Sequence, residues 1–292
     1  MKAARSKGWL WAAPSVVLLA GLLAWPMICL VRLSLCEGGS RSGFGIGASF
    51  YKPCTWTLQV YDTLVHERYF REVLGFTIWL GFVVAAVCVV LGYAAAHFLW
   101  CLPRRWKPAA LSCIIIPKLS SLLVTIYGLK IILGDHGPVN SFLALLGLTH
   151  EPVMLQHNVT GVVIGKTLLV LPYTILLIWA GLERLDRSLL AAASGLGAGA
   201  WQTFKCVTLP LSLPAVSTAA LVSLIWALGA FISPYLLGSP EQITLAVDVQ
   251  RQMFENLHWP RAAGEGVAML LTLAIIAGGF ALMRPGAAVS SR

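Results

Sequence analysis

Residues 182–215 read LERLDRSLLAAASGLGAGAWQTFKCVTLPLSLPA and separate two apolar runs of the chain. The first part of this stretch predicts a helix, because apolar and small residues recur there mostly at spacings of three and four, on one helical face. The residues concerned are Leu189, Leu190, Ala193, Leu196 and Gly197. Small residues lie between them, so the expected helix has an apolar but shallow surface.

A second short helix is expected from Ala200 to about Cys206. At helical spacing, Trp201 and Phe204 project from the same side of this helix, and Lys205 lies beside them. The stretch therefore brings two aromatic side chains into a segment otherwise made of small residues.

Two prolines close the stretch. Pro210 and Pro214 are expected to stop the helix, after which the chain enters its next apolar run. A small-residue turn with two exposed aromatic side chains predicts a docking surface for another protein rather than a catalytic loop.

The composition places the chain in a membrane. Hydrophobic residues make up 58% of the 292 residues, charged residues make up 11%, and the mean hydropathy is +0.80. A soluble domain carries about twice that charged fraction, so we expect a polytopic membrane protein. The formal net charge is +9. The positive residues are distributed by loop and form no patch, which argues against nucleic acid as a partner.

Six apolar runs are long enough to cross a hydrocarbon core of ~30 Å. They cover about residues 9–31, 73–99, 109–133, 159–182, 215–237 and 264–283. The first run exceeds the apolar core of a signal peptide and is interpreted as a retained transmembrane helix. Pro117 is expected to bend the third run. Residues 1–292 are predicted to form a single transmembrane domain, with an external loop at 32–70 and a cytosolic loop at 183–213.

The distribution of positive charge sets the orientation. Lys and Arg concentrate before the first run, between the second and third runs, and in 182–215, whereas the loop at 134–157 contains none. Because cytosolic loops carry the excess of positive residues, both termini and the 182–215 stretch are predicted to be cytosolic. Cys36 and Cys54 then fall in an external loop, where a disulfide and two free thiols both remain open.

Two stretches resemble chemical motifs, but neither matches the spacing that its motif requires. GVVIGKT at 161–167 has three residues between its glycines, whereas the nucleotide-binding loop needs four, and it begins an apolar helix. His136, His150 and His157 share one loop at spacings that match no metal-ligand pattern. The sequence predicts no catalytic residue and no metal site.

Charged residues inside the apolar runs carry more information. Lys118 lies ~14 Å deep in the third run, where a lysine costs several kcal/mol unless it faces a partner or water. Lys130 and Lys166 lie nearer the outer ends of their runs, where their side chains can extend to the surface, and Glu265 is a possible partner for either. Two interpretations stay open: structural ion pairs, or side chains lining a water-filled passage.

Motifs in the opening stretch resemble the cytoplasmic signature loop of permease subunits of binding-protein-dependent ABC importers. The matching residues are Ala191-Ala192-Ala193, Leu196-Gly197-Ala198, Trp201-Gln202-Thr203-Phe204, Thr208-Leu209-Pro210-Leu211 and Pro214. The family motif usually begins Glu-Ala-Ala, and here Ala191 stands at the glutamate position.

This resemblance implies an all-α integral membrane protein of the bacterial inner membrane, with six transmembrane helices in the type I ABC importer permease fold. It implies a cytosolic coupling helix that docks on an ATPase subunit. The coupling residues would be Ala191, Ala192, Ala193, Gly197, Ala198, Trp201, Phe204, Lys205 and Pro210. The implied partners are a second, homologous permease chain, two ATPase subunits that bind ATP and Mg, an external solute-binding protein and membrane lipid. The chain itself would bind no cofactor and catalyse no reaction.

Further motifs resemble the spermidine/putrescine branch of this family, over roughly residues 55–283. They are Thr125-Ile126-Tyr127-Gly128-Leu129-Lys130, the run from Gly229 to Gly238, and Trp259-Pro260. The branch implies a polyamine as solute, whereas intramembrane lysines suit an opine, an aminophosphonate or another anionic or zwitterionic solute better. A self-contained secondary transporter or channel is the rival class, but it would normally show intramembrane carboxylates or inverted repeats.

Six side chains are candidates for lining the route of the solute. They are Lys118, Tyr127, Lys130, Lys166, Tyr173 and Tyr235. The three tyrosines have an alternative role as packing residues between helices, so this assignment stays a hypothesis.

Overall fold

The computed structural model describes residues 4–36, 55–147, 149 and 151–283, which form helices joined by loops. The helices are α1 (Ala4–Ser34), α2 (Gln59–His66), α3 (Arg68–Cys101), α4 (Lys107–Ile115), α5 (Leu122–Ile132), α6 (Pro138–Leu145), α7 (Val159–Leu182), α8 (Arg187–Gly195), α9 (Ala200–Thr203), α10 (Leu209–Gly229), α11 (Ile232–Leu237), α12 (Leu245–Phe254) and α13 (Trp259–Met283). A 3₁₀ turn at Ile116–Leu119 follows α4, and a π-helical turn at Phe204–Thr208 joins α9 to α10.

Within the described residues, five helical segments are long and apolar enough to cross a membrane. They are Pro14–Ser34, Arg68–Cys101, Val159–Leu182, Ala200–Gly229 and Trp259–Phe280. A sixth crossing is formed by Lys107–Leu119 and Leu122–Ile132, which meet at 99°. The predicted six-span, all-α architecture is therefore confirmed, and the bend expected at Pro117 is a complete break of the third span.

The start of the fifth span corrects one prediction. Pro210 and Pro214 do not end the helix; α10 begins at Leu209 and contains both prolines. Pro210 lies in the first turn of α10, where a missing N–H costs little. Pro214 lies inside α10, where its missing N–H leaves the Pro210 carbonyl without its usual helical donor. Nearby hydroxyl groups bond back to the helix backbone: the Thr218 hydroxyl donates to the Pro214 carbonyl at 2.7 Å, and the Ser212 hydroxyl donates to the Leu209 carbonyl at 2.9 Å.

The chain divides into two compact units. The first comprises residues 1–71 and 248–272, and the second comprises residues 72–247 and 273–292. In the first unit the Ser34 and Tyr61 hydroxyls lie 2.6 Å apart, which ties the end of α1 to α2. Cys36 is disulfide-bonded. Cys54, the partner considered from the sequence, lies outside the described residues.

The second unit is organised around α7. One buried cluster joins α3, α7 and α10 and consists of Leu80, Val84, Cys88, Val162, Val170 and Ala227. Another joins α5, α7 and α11 and consists of Ile126, Leu129, Leu133, Leu169 and Leu237. Gly165 allows α11 to approach α7, because a Cβ atom there would overlap the Ser233 side chain and come within 2.7 Å of Leu237. The helix α7 is therefore the element against which α3, α5, α10 and α11 all pack.

Candidate functional site

The helix α8 begins with a side-chain cap. Asp186 precedes the helix, and its carboxylate accepts a hydrogen bond from the Ser188 backbone N–H at 2.9 Å. This hydrogen bond holds the pKa of Asp186 below its ordinary value. Asp186 was not among the sequence-predicted site residues, although an aspartate directly before an apolar periodic run is a recognised start signal.

The end of α8 is a tight left-handed turn. The Ala198 N–H donates to the Ala193 carbonyl and the Gly197 N–H donates to the Ser194 carbonyl, both at 3.0 Å. This is the Schellman pattern of helix termination. Gly197 has φ +84°, and a Cβ atom there would meet nothing within 4 Å. Glycine is therefore required by the turn itself and not by a close approach of another helix.

The surface between α8 and α10 is apolar and uncovered by the described chain. Leu196 is 90% exposed and Trp201 is 74% exposed, while Leu189 is 46% exposed. Ala191 and Ala192 are exposed and Ala193 is half-buried. The expected docking surface is therefore present as a geometric feature, and we refer to residues 187–208 as the coupling loop.

Aromatic contacts fasten the coupling loop to the end of α3. Trp201 and Phe204 stack at 5.5 Å between ring centroids, as their spacing predicts. Phe204 also makes edge contacts with Tyr93 at 5.9 Å and His97 at 5.4 Å. Phe204 thus anchors the loop, and Trp201 remains available on the outside. Lys205 and Pro210 are also exposed.

An ion pair and a cation–π contact flank this anchor. Lys107, before α4, pairs with Glu183, at the end of α7. The Arg187 guanidinium lies over the Trp100 ring, 5.8 Å from its centroid. The contacts of Arg187 and Phe204 therefore fasten the coupling loop to the end of α3, and the Lys107–Glu183 pair joins α4 to the end of α7 beside it.

A second candidate region lies at the break in the third span. Lys118 donates a hydrogen bond to the Leu169 carbonyl, and its Nζ atom lies 4.9 Å from the Tyr173 ring centroid. The Tyr173 ring stacks on Trp226 at 5.1 Å. Together these side chains line a cleft of about 390 Å³, which we call the Lys118 cleft. Trp226 is a lining residue that the sequence did not single out, because nothing local distinguishes it from other apolar residues of α10.

The Lys166 side chain was expected to reach the membrane surface, but it does not. Its side chain is fully buried, and Nζ donates to the Ala227 carbonyl at 2.8 Å. Ala227 lies in the last turn of α10, whose carbonyls have no intrahelical partner, so the ammonium group caps this helix end. Glu265 does not serve as a partner for a lysine; its Oε1 pairs with Arg261 Nε at 3.0 Å.

The remaining candidates lie outside the Lys118 cleft. Tyr127 is 52% exposed, and Tyr235 is 50% exposed with its ring 5.3 Å from that of Phe231. Lys130 is half-buried, and its carbonyl accepts a hydrogen bond from the Gln156 side chain. Of the six predicted residues, the structure brings only Lys118 and Tyr173 into one cleft.

These features define a class of protein: a polytopic membrane protein with an exposed, largely apolar loop of short helices between its fourth and fifth spans. Residues 88–292 match the family described as binding-protein-dependent transport system inner membrane component, and the chain belongs to this family. It is the membrane permease family of ABC importers.

Particular relatives are more specific. The chain is 34% identical to the spermidine/putrescine transport system permease protein PotB of Escherichia coli K12 over 229 residues, which are 78% of this chain and 82% of the relative. It is 31% identical to PotB of Salmonella typhimurium LT2 over 260 residues, covering 89% and 90% of the two chains. The inner membrane ABC transporter permease protein YcjO of E. coli K12 is 28% identical over 271 residues, covering 89% and 88%.

The fold is also found in a solved transporter. A chain from a bacterial ABC transporter involved in the import of the acidic polysaccharide alginate superposes with a TM-score of 0.71 over 95% of this chain and 97% of that chain, at 16% identity. The likeness extends to the complex of that transporter with its periplasmic protein, at a TM-score of 0.73. The predicted importer permease fold is confirmed.

Proposed function

We propose that the chain is the permease subunit of an ABC importer that moves putrescine or spermidine into the cytosol. The observation that carries this proposal is the 34% identity with PotB over most of both chains. By this proposal the chain works beside a second, different but homologous permease, two ATPase subunits and an external solute-binding protein. ATP and Mg bind to the ATPase subunits, and this chain performs no covalent chemistry.

The proposed mechanism is alternating access. ATP binding closes the ATPase pair, and the coupling loop carries that displacement into the membrane helices. The contacts of Phe204 and Arg187 with α3 give this displacement a mechanical path. The left-handed turn at Gly197 keeps Trp201 projecting toward the proposed ATPase partner. The orientation with both termini in the cytosol follows from the distribution of positive residues.

The contacts of the intramembrane lysines are compatible with an amine as solute. The Lys118 ammonium group lies over the Tyr173 ring, so the chain itself supplies the cation that this ring contacts. Both lysines nearest the core, Lys118 and Lys166, are engaged with backbone carbonyls. They are therefore explained by the packing of this chain, and their presence does not require an anionic solute.

The test is uptake by the whole importer. The chain is expressed with its partner subunits and its binding protein in a host that lacks polyamine importers, and uptake of labelled putrescine and spermidine is measured beside a labelled opine and 2-aminoethylphosphonate. We expect ATP-dependent uptake of a polyamine only. Uptake of only the opine or the aminophosphonate would retain the importer class and overturn the polyamine assignment. Transport by this chain without ATPase subunits would favour the secondary transporter class.

A further inference from the structure

A charged cleft lies in the first compact unit, apart from the residues considered so far. It has a volume of about 470 Å³, and its lining includes Glu67, Tyr69, Asp248, Arg251, His258 and Arg261. These residues come from the segment around the start of α3, from α12, and from the segment leading into α13. By the orientation predicted from the sequence, this is the external side of the membrane.

The guanidinium group of Arg261 serves two carboxylates, Glu67 in the lining of the cleft and Glu265 one helical turn further along α13. Arg261 Nη2 lies 2.8 Å from Glu67 Oε2, and Arg261 Nε lies 3.0 Å from Glu265 Oε1. Arg251 is directed to a different acid, Glu255, at 3.4 Å. Each arginine of the cleft is thus committed to an ion pair.

A third carboxylate, Asp248, has no basic side chain in an ion pair with it among the described residues. Its Oδ1 accepts a hydrogen bond from the Tyr69 hydroxyl at 3.1 Å. Asp248 is 1% exposed, and its Oδ2 has no hydrogen-bond donor within the described part of the chain. The same holds for Oε2 of Glu265, which is 0% exposed. Glu67 and Glu265 therefore share the guanidinium of Arg261, and Asp248 has only the Tyr69 hydroxyl as a hydrogen-bond donor within the described residues.

Buried carboxylates with unpartnered oxygens cost free energy unless a cation or a donor approaches them. Burial also raises the pKa of Asp248, which shows that the surrounding positive charge does not offset the loss of water. The described residues contain no group of three or more His, Cys, Asp and Glu side chains suited to a metal ion. A small organic cation that donates several hydrogen bonds satisfies this arrangement better than a metal.

We propose that this cleft binds a primary ammonium group of an aliphatic amine, with Asp248 Oδ2 as its principal acceptor. An ammonium group has three N–H donors and a compact charge, which suits a buried carboxylate oxygen without a donor such as Asp248 Oδ2. The volume admits a linear diamine beside the lining side chains. The choice of a polyamine as the natural ligand rests on the proposed function, whereas the requirement for an ammonium group rests on the carboxylates alone.

The experiment measures equilibrium binding of labelled putrescine to the complete permease–ATPase complex in nanodiscs, without the solute-binding protein. Asp248→Asn keeps the shape of the side chain and removes its charge, and we expect roughly tenfold weaker binding. Asn256→Lys places a tethered ammonium group at the rim of the cleft and should also weaken binding. Asp62→Asn is the matched control, because Asp62 is an exposed acid of the same unit that does not line the cleft.

Unchanged binding in Asp248→Asn, or equal weakening in Asp62→Asn, overturns the proposal. If Asp248→Asn does not assemble, unchanged binding in Asn256→Lys overturns it as well. Weaker docking of the solute-binding protein with unaltered putrescine binding would assign the cleft to a protein contact instead. Uptake by the wild-type importer is scored separately: putrescine binding that depends on Asp248 in a complex that imports no polyamine supports the site and rejects only the proposed function.

Discussion

The coupling loop and the Lys118 cleft lie in the same compact unit but are built on opposite principles. Within the coupling loop, α8 keeps its shape through short-range hydrogen bonds, from the Ser188 N–H to Asp186 at one end and from the Ala198 N–H to Ala193 at the other, while Phe204 fastens the loop to α3. The cleft is held by long-range contacts, such as that of Lys118 with Leu169, 51 residues away. The loop can therefore keep its shape while it moves as a body, whereas the cleft changes whenever its helices move.

This difference suits the two regions to different tasks. A locally capped loop with an exposed apolar surface is suited to transmit force without unfolding. The Lys118 cleft is lined by side chains of α5, α7 and α10, among others. It should open or close as those helices shift, which suits a gate. Substitutions in the loop should therefore impair coupling with the fold intact, and substitutions in the cleft should change how the solute passes.

The largest effect is expected from Gly197→Asp. The substitution introduces a side chain at φ +84°, where a Cβ atom costs ~1–2 kcal/mol, and adds a carboxylate to the apolar docking surface. We expect uptake to be abolished while membrane insertion, measured by the amount of chain in the membrane fraction, is retained.

Gly199→Asp is the matched control for that variant. Gly199 has φ −69° and is the N-cap residue of α9, a position that aspartate favours. Aspartate at 199 therefore adds the same carboxylate without backbone strain. Most of the uptake should remain. Normal uptake in Gly197→Asp, or an equal loss in both variants, would show that the turn does not matter for coupling.

A somewhat smaller effect is expected from Trp201→Ala. The exposed Trp201 ring is the main candidate for a buried anchor in the proposed ATPase contact, and such anchors typically contribute at least ~2 kcal/mol. Uptake should fall at least roughly tenfold, with ATP hydrolysis by the complex no longer stimulated by the loaded binding protein.

Leu211→Ala is a control for general loss of apolar surface, because Leu211 is an exposed apolar residue of α10, beyond the π-helical turn. Uptake in this variant should change little. Stimulated ATP hydrolysis that survives Trp201→Ala would instead locate the contact elsewhere on the loop.

The same contrast explains what could be predicted from the sequence. The six spans and the pairing of Trp201 with Phe204 depend on residues close together in the chain, and periodicity reveals them. The effect of Pro210 and Pro214 was predicted wrongly, because the π-helical turn before them leads directly into α10, which holds Pro210 in its first turn and Pro214 in its interior.

Contacts between distant residues could not be predicted in this way. Lys166 meets the Ala227 carbonyl across 61 residues, and no local pattern distinguishes a lysine that caps a helix end from one that reaches the membrane surface. The partner of Glu265 was in fact local, at Arg261, but the sequence offered the lysines as equally good partners. Knowledge of which helices pack together was the missing information.

An intermediate effect is expected from Lys118→Met. Methionine fills a similar volume and removes the ammonium group from the cleft, so the electrostatic barrier to a cationic solute falls. Uptake of putrescine should rise roughly two- to fivefold, and an anionic solute would show the opposite change. The initial rate of uptake across a range of putrescine concentrations measures this.

Lys130→Met serves as the comparison, because Lys130 lies outside the Lys118 cleft. It should leave the rate of uptake within twofold of the wild type. A fall in putrescine uptake in Lys118→Met would mean that the ammonium group is needed for the arrangement of the cleft, and would remove the reason to regard this region as a gate.

The smallest effect is expected from Asp186→Ala, which removes the cap of α8 without touching its docking surface. The Ser188 N–H loses its side-chain acceptor, and the first turn of α8 should fray. Because Gly197 and the aromatic anchor at Phe204 still hold the other end of the loop, uptake should fall only to roughly half.

Asp186→Asn keeps an oxygen acceptor and should restore uptake, which distinguishes loss of the cap from loss of the charge. If Asp186→Ala abolished uptake as completely as Gly197→Asp, the loop would not move as a body held at both ends. The first turn of α8 would then have to belong to the docking contact itself.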